Sequence, residues 1–222
     1  MPLKLNADLP NGITFKNEAA KIVNLNNENF IKVKEAISQD PRFKLGLEDR
    51  VFDIHCELNG GNFPFDNKDA VLNVVIMIDI VNSTQKYQKG YINVLEKISE
   101  FICNNSNRFV QRLNAINTDT KLVDDMIDDV ELKTNRNEPS ICSKVCRYFS
   151  NKLYDNDAFY AWDSKVRYAL PFYYKEYKGL LMQNKNWKKY SEFHDTIENF
   201  RKEICPNLTR LQIDQLLWFC HK

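Results

Sequence analysis

A lysine and an aspartate stand nineteen positions apart in the second half of this 222-residue chain. They are Lys144, in Pro139-Ser140-Ile141-Cys142-Ser143-Lys144-Val145-Cys146, and Asp163, in Ala161-Trp162-Asp163-Ser164-Lys165-Val166. A neutral lysine amine is a nucleophile that attacks electrophilic carbon and can carry a Schiff base. A fixed carboxylate stabilises positive charge as it develops in a transition state. The pair therefore suits a reaction that leaves cationic character on carbon. The amine must meet one condition first. An ordinary lysine titrates near ~10.4, and a nearby carboxylate favours its charged form. Desolvation and the positive end of a helix must outweigh both for Lys144 to attack.

The elements that would position these residues are helical. Leu122 to Leu132 carries Val123, Met126, Ile127 and Val130 on one face, and a polar connector follows from Lys133 to Glu138. Pro139 suits the entry to a second helix, Ser140 to Leu153, which bears Lys144. Phe159 to Trp162 is expected as extended chain, and Asp163 as the cap of a helix that runs to Tyr168 before Pro171 disturbs it. Earlier in the chain, apolar spacing predicts helices over Glu18–Leu25, Asn29–Ile37, Leu45–Leu58 and Tyr91–Cys103. The aliphatic run after Asp66 reads as a helix capped by Asp66, with Asp69 as partner, ending near Ser83; its length argues against a buried strand. Two further amphipathic helices are expected, over Trp187–Ile204 and Leu208–Phe219, on either side of Cys205-Pro206-Asn207.

Composition sets bounds. A hydrophobic share of 43% and a charged share of 27% are those of an ordinary globular protein, and net charge is +1. Residues 131–222 hold 16 Lys and Arg against 11 Asp and Glu, whereas residues 1–130 hold 15 against 19. A basic C-terminal half suits a surface that faces phosphates. The six cysteines form no CxxC pair; Cys142 and Cys146 lie one turn apart, but a metal site needs two more ligands. Free thiols in a reducing compartment are expected, with no metal or other cofactor. The start of the chain lacks the apolar core of a signal peptide, and the run Ala70–Val81 is too short to span a bilayer. A cytoplasmic, nucleoid-associated monomer is the expectation.

The stretch Pro139–Cys146 resembles the hairpin of helix-hairpin-helix DNA glycosylases, the 8-oxoguanine branch in particular, where it reads roughly Pro-Gly-Val-Gly-Thr-Lys-Val-Ala. Proline, aliphatic residue, hydroxyl residue and lysine stand in register, and the family's aspartate follows at a similar distance. The resemblance covers roughly 120–170, more faintly 205–222. It implies an all-α, two-lobed fold over 1–222: a first helical lobe at roughly 17–116, the hairpin and catalytic segment at 117–170, C-terminal helices at 171–222, and the site between the lobes. It implies Lys144 as nucleophile at the anomeric carbon, Asp163 as the carboxylate beneath the sugar, and double-stranded DNA with a modified base as partner. Ser140, Ile141, Cys142 and Lys165 would meet the DNA backbone.

Serine and cysteine replace the two hairpin glycines, which in the family let backbone N–H groups approach a phosphate and take left-handed torsions. Cysteine is poor at positive φ, so the hairpin's grip on phosphate is the part of the resemblance most altered. A flipped base needs a stacking wall and a polar edge-reader. Gln215 and Phe219, one turn apart in the last helix, resemble the pair that lines the base pocket in this family, and Tyr148, one turn after Lys144, could join them. Asn82 is a candidate to fill the space left by the flipped nucleotide. Each residue also has a plainer reading: a solvated lysine, a helix-capping aspartate, a core phenylalanine. Two rival functions remain open, a non-catalytic DNA-binding protein on the same scaffold and a helical interaction protein that binds no DNA.

Overall fold

Helical periodicity dominates the chain, and the computed structural model is correspondingly mostly helical, with one short hairpin of strands. It describes residues 3–82, 84–115, 118–182 and 186–222. Strands β1 (Phe15–Asn17) and β2 (Ile22–Val23) precede α1 (Asn27–Gln39), α2 (Pro41–Lys44), α3 (Leu47–Leu58), α4 (Lys68–Val81), α5 (Ile92–Asn104) and α6 (Ser106–Leu113). Helices α7 (Lys121–Thr134), α8 (Pro139–Tyr154), α9 (Ser164–Lys178), α10 (Tyr190–Ile204) and α11 (Arg210–His221) complete it. The chain divides into two compact units, one made of 1–40 with 160–222 and the other of 41–159. The divisions fall at 40/41 and 159/160.

In the continuous unit, α4 packs on α3, α5 and α8, and α7 joins α5 to α8. Its helix starts follow local chemistry. Asn67, not Asp66, caps α4: its side chain accepts from the N–H groups of Asp69 and Ala70 at 3.0 and 3.1 Å. Ser83, the expected end of that helix, lies outside the described residues. Gly60 and Gly61, with φ of +67° and +93°, stop α3 as its glycine pair predicts. Phe52, Phe63, Phe65, Phe109 and Phe149 form a chain of ring contacts with centroids 4.5 to 6.3 Å apart, so α3, α6 and α8 share one aromatic core.

In the discontinuous unit, α11 packs against α1, α9 and α10, and β2 lies on α9. The helix expected over Glu18–Leu25 is instead a turn over 18–21 followed by β2. Eight residues make a weak helix, Lys21 takes φ +60°, and β-branched Ile22 and Val23 are buried in extended form. Helix α9 runs through Pro171 to Gly179 rather than breaking there. Proline removes one i→i−4 bond, at about 3 kcal/mol, but the helix buries Val166, Ala169, Leu170 and Tyr173, which offsets it. Tyr173 also fastens the N-terminal segment. Its hydroxyl oxygen accepts from the Val23 N–H at 3.2 Å and lies 2.9 Å from His221 Nε2, while His221 Nδ1 lies 2.7 Å from the Lys4 carbonyl. The carbonyl can only accept, so Nδ1 carries the proton and Nε2 accepts from Tyr173.

Candidate functional site

The hairpin leading to Lys144 has the expected order. Helix α7 closes on Asn135 in the left-handed conformation (φ +56°), three residues follow, and Pro139 occupies the first turn of α8. Lys144 is buried, only 9% exposed, and its Nζ donates to the Asn82 carbonyl at 3.3 Å. Asn82 ends α4, and its side-chain amide donates to the Ile78 carbonyl at 3.0 Å. The residue considered as a strand filler thus meets Lys144 through its backbone and has its side chain turned to its own helix.

The segment from Thr84 to Tyr87 is held by a residue that reads in sequence only as an interruption of an apolar run. Asp79, fully buried, accepts from the Thr84 hydroxyl and from the N–H groups of Lys86 and Tyr87, both at 2.9 Å. These bonds fold the segment after α4 back on its helix. They aim Lys86 at Glu138, with Nζ 2.5 Å from the carboxylate. Glu138 is itself buried and immediately precedes α8. One carboxylate therefore orders the segment that brings Lys86 to the start of α8. The signal in sequence was an aspartate among aliphatic residues with a hydroxyl five positions on.

The substituted hairpin does not adopt the glycine geometry. Ile141 and Cys142 are buried with helical torsions, and the Cys142 N–H donates to the Glu138 carbonyl at 3.3 Å. Their side chains point inward and Ser140 is half-buried, so a contact of this turn with DNA would use its backbone and Ser140. Burial raises the Cys142 and Cys146 thiols well out of the reactive range. Tyr148 is tied to α3: its hydroxyl donates to Asp49 at 3.0 Å, and its ring meets Phe52 and Phe149 edge-on. Burial, then the Asp49 charge, keep that phenol protonated. A base-pocket role would require it to leave Asp49.

Asp163 belongs to the other unit, where it caps α9, its carboxylate accepting from the Lys165 N–H at 2.7 Å. Tyr160 and Trp162 lead into it. Tyr160 donates to Glu198 at 2.8 Å and accepts, through its carbonyl, from Tyr190 at 2.9 Å. The Lys165 side chain is exposed. On α11, Gln215 is half-buried, while Phe219 is 2% exposed and lies under the Lys222 ammonium, 4.3 Å from its ring centroid. Phe219 is thus core, with one face covered by a cation. A cleft of about 600 Å³ in the continuous unit, lined by Asn59, Phe63, Phe65, Asp66, Asn107 and Gln111, contains none of the expected site residues. Among the described residues no three His, Cys, Asp or Glu side chains converge as metal ligands, and no helix is long and apolar enough to cross a membrane.

Compared with protein-family models, with curated proteins and with solved structures, the chain finds no match.

Proposed function

We propose that this chain is a DNA glycosylase that excises a damaged or modified base, with strand cleavage by Lys144 as a linked lyase activity. The observation that carries the reading is the burial of Lys144 in α8, directly after a hairpin of the glycosylase order, with Asp163 capping the next helix. In this reaction the neutral amine attacks C1′, the glycosidic bond breaks, and the base departs with its electron pair. Asp163 stabilises the cationic sugar during that step. Opening of the sugar and loss of the amine's proton give an imine. Removal of the proton at C2′ then expels the 3′-phosphate. The two-lobed helix-hairpin-helix arrangement, with its site between lobes, is part of the same proposal. It serves base excision repair or defence against modified foreign DNA.

A non-catalytic DNA-binding protein on this scaffold is the second reading, favoured by the buried, glycine-free turn at Ile141 and Cys142. Borohydride trapping separates them. The panel is duplexes carrying 8-oxoguanine, uracil, alkylated bases, hydroxymethylated cytosine or a plain abasic site. A covalent adduct present in the wild type and absent in Lys144→Gln supports the enzyme and names its substrate. Salt-dependent binding without an adduct or base release on any duplex supports the second reading.

A further inference from the structure

Three partly buried arginines of this chain are held by carboxylates. Arg112 pairs with Asp119 and Asp125, and Arg201 and Arg210 both pair with Glu198. The hydrogen bond to Glu198 raises the pKa of Arg201; in Arg112 and Arg210 burial opposes the rise, and the carboxylates outweigh it. Arg167 is the contrast. It is half-buried, its Nε is out of contact with water and without a hydrogen-bond partner, and among the described residues no carboxylate pairs with it. Burial alone moves its pKa, downward. Its guanidinium lies 4.6 Å over the Trp162 ring, whose electron-rich face steadies the cation. Shielding a cation from water without a carboxylate beside it is costly, so packing on Trp162 is one reason for an arginine here and leaves room for a second.

Its position supplies one. Arg167 stands one turn beyond Asp163 on α9 and donates its N–H to the Asp163 carbonyl at 3.0 Å. Residues three and four apart share a helical face, so Arg167 lies on the side of Ser164, which is exposed, and of Asp163. The guanidinium fork matches the oxygens of a phosphate, and its aromatic backing fixes the plane in which it is offered. We propose that Arg167, aided by the Ser164 hydroxyl, holds a backbone phosphate of the DNA strand that carries the target nucleotide. This rests on the glycosylase reading and adds to it: a sugar and its own phosphate are covalent neighbours, so a phosphate held one turn from Asp163 brings the sugar to that carboxylate.

The test is the binding of a fluorescent duplex containing a tetrahydrofuran abasic analogue, which cannot form an imine, measured over a range of sodium chloride concentrations. Arg167→Met is expected to bind more weakly at low salt, with a plot of log affinity against log salt shallower by about 0.9. Arg167→Lys is expected to restore the slope. An unchanged slope in a folded Arg167→Met, with the wild type binding and forming its borohydride adduct, overturns this inference and leaves the glycosylase reading standing. A wild type without salt-dependent binding overturns both. Should Arg167→Met not fold, Arg167→Gln is read by the same slope.

Discussion

Glu198 is the sharpest test of how the discontinuous unit is held. Its side chain is 8% exposed and receives Nε and Nη2 of Arg201 at 3.0 and 3.1 Å, and the same two nitrogens of Arg210 at 3.0 Å each. The Tyr160 hydroxyl adds a bond of 2.8 Å. Glu198→Gln keeps the shape and removes the charge, leaving two guanidiniums and a phenol facing an amide. Removing one partner of a fully buried ion pair costs about 3–5 kcal/mol. Arg201 and Arg210 remain 16% and 25% exposed, so water recovers part of that. We expect a loss of about 2–3 kcal/mol, which at roughly 2–4 °C per kcal/mol for a chain of this size lowers Tm by about 4–12 °C. Burial would raise the Glu198 pKa, but the bonds from Arg201, Arg210 and Tyr160 outweigh it and hold the carboxylate well below its usual range. A depressed folded pKa means stability that is complete above the unfolded value, near ~4.3, and lost as pH falls below it. Thermal melts by circular dichroism from neutral to acid pH read both effects. The variant should melt lower at pH 7 and lose less on acidification. A Glu198→Gln protein that melts within a degree of wild type at pH 7, with the same acid profile, would refute the reasoning.

Other expectations follow from the same contacts. Asp163→Asn should slow adduct formation by about 10²–10³-fold, since one aligned electrostatic group is lost, while Tm holds because asparagine caps a helix as well as aspartate does; an unchanged rate in single-turnover trapping would remove Asp163 from the chemistry. Asp79→Ala removes the fully buried acceptor of the Lys86 and Tyr87 N–H groups, which water can partly reach, and should cost about 1–2 kcal/mol by urea denaturation. Tyr173→Phe leaves the N–H of fully buried Val23 without its acceptor and should cost about 1–3 kcal/mol, read in the same way. Burial lowers the His221 pKa, so its contribution to stability is complete above the ordinary histidine value, near ~6.5, and is lost as pH falls below it. His221→Gln should flatten the melting profile in that window, and an unchanged profile would count against it.

Local order was legible in the chain because its causes lie within a turn or two. The spacing of Val123, Met126, Ile127 and Val130, the proline at 139 and the aspartate at 163 placed α7, α8 and the start of α9 closely. Where two local rules compete, the reading failed: Ile22 and Val23 fit a helical spacing yet form a strand, and Pro171 sits inside a helix whose packing outweighs the lost bond. Residue types also named a chemistry, an amine followed by a carboxylate. Only tertiary structure showed what surrounds those groups. The Lys144 amine reaches a carbonyl 62 positions away, at the end of α4. Cys142, expected at a DNA-facing turn, is enclosed, and Arg167 packs on a tryptophan where Arg112, Arg201 and Arg210 meet carboxylates. Hydrogen-bond geometry, burial and ion pairing arise between segments distant in sequence, and packing decides them after the helices have formed.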